Sequence, residues 1–349
     1  WTAVAIIGAA TYIERILGIP LVWSRVISTL LFGTYIIIGG YLAVVWTDLI
    51  QSIILGAGFL TAAILGVRAV GGWSGMANAL PESYLSFGSV GIMAMLGLLA
   101  NQILSPMALP AYRQRIYSAK SEGAAKKSFR VTAVLCLGFA FLPVILGMSA
   151  MALEPGLERP DFAFPYMLTA VFPPIIAAIA LSAGISAATS SGDSNCISAV
   201  NLILNDVLQK VFKWTPGKDQ TVKVARITTI SVLVFAFAAG LVAKGVIDFI
   251  VMLGGTIMVP LSSALLMGRF WRRATWQGAT ASIFIGAATS LILLNTPNWL
   301  SFWGGYTALP VFIIATISGI VVSYITPPTK KDWETVAQEL EHQRESFEG

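Results

Sequence analysis

Eight side chains that carry a hydroxyl or a carboxyl group are concentrated between residues 182 and 198, in the sequence SAGISAATSSGDSNCIS. This segment continues an apolar stretch that is long enough to cross a membrane as a helix. Lipid offers such polar groups no hydrogen-bond partner, so they are expected to face a bundle interior or a water-filled cavity. Because hard cations prefer oxygen ligands, the segment predicts an ion-coupled transporter.

The rest of the chain supplies the helices that such a segment needs. Hydrophobic residues make up 56% of the 349 residues, charged residues only 11%, and the mean hydropathy is +0.79. The apolar runs reach the roughly 20 residues that a membrane-spanning helix requires. We therefore predict an all-α, polytopic membrane helix bundle, with a partial span at 1–11 and full spans at 22–40, 47–68, 87–109, 129–152, 175–203, 221–243, 245–268, 275–294 and 304–326.

The lysines and arginines of the loops indicate how the bundle is oriented. Most lie on one side of these spans, and the opposite loops carry acids or few charges, apart from Arg15, Arg25, Arg68 and Lys244. Because cytoplasmic loops are enriched in basic residues, we expect a cytoplasmic C-terminus. Orientation explains the net charge of +5, so nucleic-acid binding is not expected. The basic side carries Arg113, Arg115, Lys120, Lys126, Lys127, Arg130, Lys210, Lys213, Lys218, Lys223, Arg269, Arg272, Arg273, Lys330 and Lys331.

Residue usage excludes several function classes. The chain has two cysteines, Cys136 and Cys196, and a single histidine, His342, in the predicted tail. These are too few for a disulfide framework, a zinc cluster or a histidine-based hydrolase, although a carboxylate-only enzyme is not excluded. The sequence also contains no Walker motif, so the energy for uphill transport would have to come from an ion gradient.

Residues 39–51, with the sequence GGYLAVVWTDLIQ, resemble the GGxxAVxWTDxxQ motif of the solute:sodium symporter family. That family includes sodium-coupled carriers of proline, pantothenate, sugars and monocarboxylates. Further stretches agree with it in order and spacing, at 114–121, at 190–191 and at 253–273. The resemblance extends to about residue 326 and implies a secondary active symporter, with sodium as the coupling ion.

The family resembles the LeuT type of transporter, in which two five-helix units are related by inverted topology and the solute binds beside broken helices. The first apolar run starts at Trp1, without the polar start that a cleaved signal peptide would normally leave. We therefore expect an N-terminally truncated chain that lacks the first two core helices. The resemblance implies a transmembrane domain at 1–326 and a tail at 327–349, the domain comprising the remainder of the first repeat (1–68), the second repeat (87–268) and two additional helices (275–326).

The resemblance places the main sodium site on the eighth core helix. There the family uses a backbone carbonyl and two hydroxyl groups, which fall on Ala187, Ser190 and Ser191. These positions are spaced i, i+3 and i+4, so they share one helix face, and oxygen atoms suit a hard cation. The alternative is that Ala183, Ala187 and Ser191 are small residues that let two helices pack closely.

In some family members a further sodium ion is bound between the eighth core helix and the aspartate of the motif, here Asp48. The corresponding helix positions are Ser190, Asp193 and Ser194. Asp193 stands where that arrangement uses a hydroxyl, so two carboxylates would face one small site. They would either bind the ion more strongly or share a proton and make coupling depend on pH. The alternative is that Asp48 lies near the cytoplasmic end of its span, where a charge costs less than at the centre.

A solute cavity is expected in the third full span. Asn101, Gln102 and Ser105 precede Pro106 and Pro110, and two prolines four residues apart are expected to interrupt the helical hydrogen bonds. Carriers of this type expose polar groups to the solute where the backbone is unwound, so these three residues are the candidates. A simple proline kink, with polar side chains that satisfy the freed carbonyls, is the alternative.

Together these features predict a sodium-coupled symporter in the plasma membrane that imports a small organic solute by alternating access. Sugar carriers that resemble the chain use an amide and a tyrosine at the positions of Leu109 and Ala111. A galactose-like solute is therefore disfavoured, and an amino acid such as proline, or a small carboxylate, is preferred. A passive solute channel and a membrane-embedded sensor built on a symporter-like bundle are the rival functions; an enzyme is not expected.

Overall fold

The computed structural model describes residues 1–86, 88–241 and 246–328, together with Thr335 and Gln338. Most of the predicted tail lies outside these residues, and so do Phe87 and Lys244. Over the described residues the chain is helical without a β-strand, which confirms the all-α prediction. The α-helices are α1 (Thr2–Leu17), α2 (Leu21–Ala69), α3 (Gly72–Ala79), α4 (Glu82–Leu85), α5 (Ile92–Ala108), α6 (Pro110–Tyr117), α7 (Glu122–Phe139), α8 (Phe141–Leu153), α9 (Ala163–Val171), α10 (Pro174–Asn201), α11 (Lys218–Leu241), α12 (Val246–Leu253), α13 (Val259–Phe270), α14 (Trp276–Leu294), α15 (Pro297–Phe302) and α16 (Ala308–Ile325).

The helices agree with the predicted spans in order, and with the nine predicted full spans in number if α5 and α6 are counted as one span. Within the described residues, 8 helices are long and apolar enough to cross a membrane, or 9 if α5 and α6 form one span. The 16-residue α1 corresponds to the predicted partial span. The largest differences are at span ends: the fourth span starts at Glu122, and α10 continues as a π-helix over Leu202–Val211.

The outer faces of the helices are apolar, as lipid requires. On α7, Val134, Leu135 and Leu137 leave between 66% and 70% of their surface uncovered. A contiguous apolar face of this kind is rare on a protein that is surrounded by water, whereas a helix in a bilayer needs it. The exposed side chains therefore agree with the hydropathy of the sequence.

A single glycine divides α2 into two spans. Gly40 has φ 59° and ψ −155°, a conformation that is open to glycine and strained for other residues. The break separates the candidate spans Leu21–Leu42 and Val44–Ala69. The glycine pair of the motif thus ends one span, and Asp48 follows in the first turns of the next.

Residues 1–89 and 110–249 form one compact unit, in which α10 packs against α1, α2, α9 and α11. Small residues allow the close approach: a Cβ atom added at Gly58 of α2 would lie 2.6 Å from that of Ala183. Beside this contact Phe59 stacks on Phe164, with ring centroids 4.5 Å apart. Because lipid is as apolar as the side chains, such van der Waals packing, rather than release of water, holds α10 in place.

Residues 90–109 and 250–328 form a second compact unit, which contains α5, α13, α14 and α16. Its apolar core includes Leu104, Val259 and Val311. A π-helical segment, Gly254–Met258, precedes α13, and a side chain at Gly254 would collide with Asn101 of α5. Such π-helical segments are common at functional sites, and this one brings backbone close to Asn101, a residue that is predicted to bind the solute.

Candidate cation and solute sites

The predicted sodium ligands lie in the middle of α10. Ala187 and Ser190 are half-buried, and Ser191 is exposed. Ser190 Oγ donates a hydrogen bond to the Ala187 carbonyl oxygen at 3.3 Å, and the Ser191 carbonyl accepts one from Asn195 Nδ2 at 2.6 Å. The Ala187 carbonyl oxygen and Ser190 Oγ, two of the predicted ligands, are therefore close enough to each other to bind one small cation.

Two hollows border this face of α10. The smaller, of about 310 Å³, is lined by Ala187 and Ser191 and by residues of α1, the Pro160–Phe162 turn and α12. The larger, of about 600 Å³, is lined by Ser190 and Ser191 and by residues of α2 and α6. Ser191 is the one residue common to the two linings. The helix face that carries Ala187, Ser190 and Ser191 thus borders open space on two sides.

Asp48 lies on the wall of the larger hollow and forms an ion pair with Arg115 of α6. Arg115 Nη2 also donates to Ser194 Oγ at 2.8 Å, and Ser194 Oγ lies 3.1 Å from the Asp48 Oδ2 atom that the arginine contacts. The Arg115 side chain is 45% exposed and that of Asp48 is 14% exposed. The guanidinium thus reaches from solvent onto a mostly buried carboxylate, and the contact orders the three groups.

The second carboxylate, Asp193, is completely buried. Its Oδ2 accepts a hydrogen bond from the Tyr35 hydroxyl at 2.6 Å, and its Oδ1 accepts one from the Ser194 backbone N–H at 2.7 Å. A buried carboxylate is costly unless it is hydrogen-bonded, and these two donors offset part of that cost. The structure thus brings Asp48, Asp193 and Ser194 together, with Ser194 contacting both acids.

The ligands available to a cation here are oxygen atoms. Among the described residues, no three His, Cys, Asp or Glu side chains converge as a transition-metal site would need. Asp48 Oδ1 is buried and makes no hydrogen bond with the described residues. Hydroxyl, carbonyl and carboxylate oxygens of this kind suit an alkali cation.

Sequence reasoning did not single out several residues of this site. Tyr35 and Arg115 contact the two carboxylates, and Gln51 Nε2 donates to Thr189 Oγ1 at 3.3 Å. Gln51 follows Asp48 by three residues and therefore shares its face of α2, a signal that was present in the motif. Arg115 belongs to a stretch that resembles the family, but as a basic loop residue it indicated only orientation. No pattern pointed to Tyr35.

The predicted solute residues lie on α5, in the second compact unit. Asn101 and Ser105 are buried and adjacent, since Ser105 Oγ donates to Asn101 Oδ1 at 2.9 Å, whereas Gln102 is exposed. The helix is regular through all three residues. Pro106, without an N–H group, leaves the Gln102 carbonyl without its usual partner. The expected interruption falls at Leu109, where ψ is 121°, beyond the three polar residues.

The sodium:solute symporter family model matches residues 2–286, more than three quarters of the chain. The chain belongs to the sodium:solute symporter family. This confirms the resemblance, makes the protein a multi-pass membrane transporter rather than an enzyme, and identifies sodium as the coupling ion.

Two relatives of this symporter illustrate the range of the family. An osmoregulated proline transporter from Bacillus subtilis is 25% identical over 338 residues, which cover 93% of this chain and 68% of the relative. A sodium/pantothenate symporter from Haemophilus influenzae is 25% identical over 329 residues, which cover 91% of this chain and 67% of the relative. The symporter chain thus spans about two thirds of the length of these proteins.

A solved structure has the same fold. A Na+-coupled sialic acid symporter, in a substrate-bound outward-open state with a novel Na+ site, aligns with a TM-score of 0.72 at 22% identity. The alignment covers 94% of the present symporter and 72% of the other chain. The likeness confirms the LeuT-type helix bundle that the motifs implied.

Proposed function

We propose that this symporter couples inward sodium flow to the import of a small organic solute by alternating access. The observation that carries the proposal is that the Ala187, Ser190 and Ser191 face of α10 borders two hollows. Small residues that serve only close packing have a neighbouring helix against them, as Ala183 has at Gly58. The hydroxyl face therefore has space for an ion that the packing face lacks.

In this proposal, sodium is held by the Ala187 carbonyl and by the Ser190 and Ser191 hydroxyls. A bound ion can shift a conformational equilibrium only by its difference in affinity between the two states. If these oxygens are closest together in the state that admits solute, sodium stabilises that state. Solute and sodium then each raise the affinity for the other by the same factor.

A second cation would bind between Asp48, Asp193 and Ser194. Asp48 Oδ1, which has no donor within the described part of the chain, supports this site, because a buried anionic oxygen without a donor is a favourable ligand. Each carboxylate has a donor of its own, Tyr35 for Asp193 and Arg115 for Asp48, so the two acids do not depend on a shared proton in this arrangement. We favour a cation at this site over a proton.

We propose that Asn101, Gln102 and Ser105 line the solute cavity. The Asn101 oxygen accepts the Ser105 hydroxyl, and this orientation turns an amide nitrogen, a donor, towards other partners. Donors of this kind suit a carboxylate. The relatives transport proline and pantothenate, and both compounds carry a carboxylate, so an amino acid such as proline, or a small carboxylate, is the preferred solute.

The organisation of the chain remains a proposal of the same kind. Residues 1–326 would form the transmembrane domain, with 1–68 the remainder of the first repeat, 87–268 the second repeat and 275–326 two additional helices. The basic loops would face the cytoplasm, and the 327–349 tail with them, in the plasma membrane.

Uptake of radiolabelled proline and a panel of small carboxylates tests the sodium site, using the full-length protein in proteoliposomes across a sodium titration. Replacing Ser191 removes one ligand, so we expect Ser191→Ala to raise the half-saturating sodium concentration about tenfold, as loss of a charge-assisted contact would. The matched control is Ser182→Ala, an exposed serine of α10 whose Oγ bonds within its own helix to the Ala178 carbonyl. An unchanged sodium dependence in Ser191→Ala removes the site assignment.

The same vesicles separate the rival functions. Accumulation of solute above the external concentration, driven by an inward sodium gradient, supports symport. A channel would equilibrate solute without sodium, and a sensor would bind solute without moving it. Either result would contradict the proposed function.

A further inference from the structure

A cationic side chain occupies the place proposed for the second cation. The Arg115 guanidinium contacts Asp48 Oδ2 and donates to Ser194 Oγ, two of the oxygens that a cation would need there. A cation at Asp48 would lie beside the guanidinium, and like charges in close contact destabilise each other. The two cations therefore exclude each other.

We propose that Arg115 is a built-in competitor of the second cation, so that an ion reaches Asp48 and Ser194 only after the guanidinium has moved away. The inference rests on the proposed second site and adds its regulation. When the arginine leaves, the Asp48 carboxylate loses the positive charge beside it, and an incoming cation replaces that charge. Arg115 thus offsets the charge of Asp48 while the ion is absent.

The guanidinium has room for this movement. Its side chain is 45% exposed and borders the larger hollow, so leaving Asp48 does not require repacking of buried groups. Asp48 Oδ1, the oxygen that has no hydrogen-bond partner among the described residues, offers a first contact to an ion that arrives through the hollow. The exchange of one cation for the other can therefore proceed stepwise.

Direct sodium binding to the purified full-length protein, measured with radioactive sodium in the absence of solute, tests the competition. When a competitor occupies the site, the apparent affinity for sodium equals the intrinsic affinity multiplied by the fraction of protein in which the site is free. Because the Arg115 side chain is itself 45% exposed and can leave Asp48, we expect Arg115→Gln to lower the half-saturating sodium concentration of the Asp48-dependent component about two- to fivefold. Arg115→Lys keeps a competing charge, so it should resemble the wild type.

Two comparisons make the result specific. Lys120→Gln removes an exposed cation that follows α6 and should leave sodium binding unchanged. In an Asp48→Asn background, Arg115→Gln should have no further effect, because the arginine acts through Asp48. An Arg115→Gln affinity equal to or weaker than that of the wild type, or a gain that persists with Asp48→Asn, overturns the inference.

The proposed function fails in a different way. If the wild type binds sodium and Ser191→Ala weakens it while Arg115→Gln changes nothing, only the competition is wrong. If the wild type binds no sodium, both the proposed function and the competition are overturned. Sodium binding that still depends on Ser191 also shows that an Arg115 variant has folded.

Discussion

Ser194 connects the two acids of the candidate cation site through two different groups. Its hydroxyl reaches Asp48, and its backbone N–H reaches Asp193. The sequence predicted the three residues together, but it did not predict that Tyr35 bonds to Asp193 and Arg115 to Asp48, since partners from distant helices leave no local pattern.

Tyr35→Phe removes the hydroxyl that donates to Asp193 Oδ2 at 2.6 Å. Among the described residues, the buried carboxylate then keeps the Ser194 N–H as its one donor, and we expect a loss of stability of about 1–3 kcal/mol. Thermal unfolding of the purified protein measures it. Tyr41→Phe is the matched control, because the Tyr41 hydroxyl makes an exposed contact, 3.1 Å from Ser118 Oγ. Equal midpoints for the two variants would contradict a structural role for Tyr35.

The contact between α2 and α10 positions the site, because Asp48 and Gln51 belong to one helix and Ser194 and Thr189 to the other. The helices themselves were predictable from hydropathy, since each apolar run is long enough to span a bilayer. The sequence predicted two separate spans here. It did not predict that they would be two parts of one helix with a break at Gly40. A glycine pair suggests a turn, but only the backbone shows which glycine has positive φ.

A pair of glycine variants in α2 tests whether close packing at this contact is required. A side chain at Gly58 would meet Ala183, so Gly58→Ala is expected to destabilise the protein by about 1–3 kcal/mol and to weaken sodium binding. Gly56 has nothing within 4 Å of an added Cβ atom. Gly56→Ala should therefore be neutral, or stabilising by up to about 1 kcal/mol. Unfolding midpoints and sodium titrations check both variants, and equal behaviour would refute the packing argument.

Across the chain, the apolar outer faces of the helices indicate where lipid lies, and the polar face of α10 indicates where solvent and ions enter the bundle. The number and order of spans followed from the sequence, because hydrophobic length is a one-dimensional property. The sequence did not predict that Gln102 is exposed while Asn101 is buried. Neighbouring residues of a helix lie on different faces, and the sequence does not tell which face is covered. Asn101 and Ser105, four residues apart, are the pair that the helix brings together.

The two cysteines test the lipid boundary. Cys136 on α7 is exposed and Cys196 on α10 is buried. A nitroxide attached at Cys136 in reconstituted protein, with any further cysteines of the full-length chain replaced, should be relaxed by oxygen, which concentrates in lipid, and little by a water-soluble nickel complex. Cys196 should resist labelling. Strong relaxation of the Cys136 nitroxide by nickel would place that face of α7 in water and contradict the assignment.

The shared position of Ser191 on the linings of both hollows has a consequence for the volume of its side chain. Ser191 is exposed and borders each hollow, so a bulkier residue at this position would extend into one of them rather than into a neighbouring helix. A single substitution there therefore changes the shape of both spaces while the packing of α10 stays as it is.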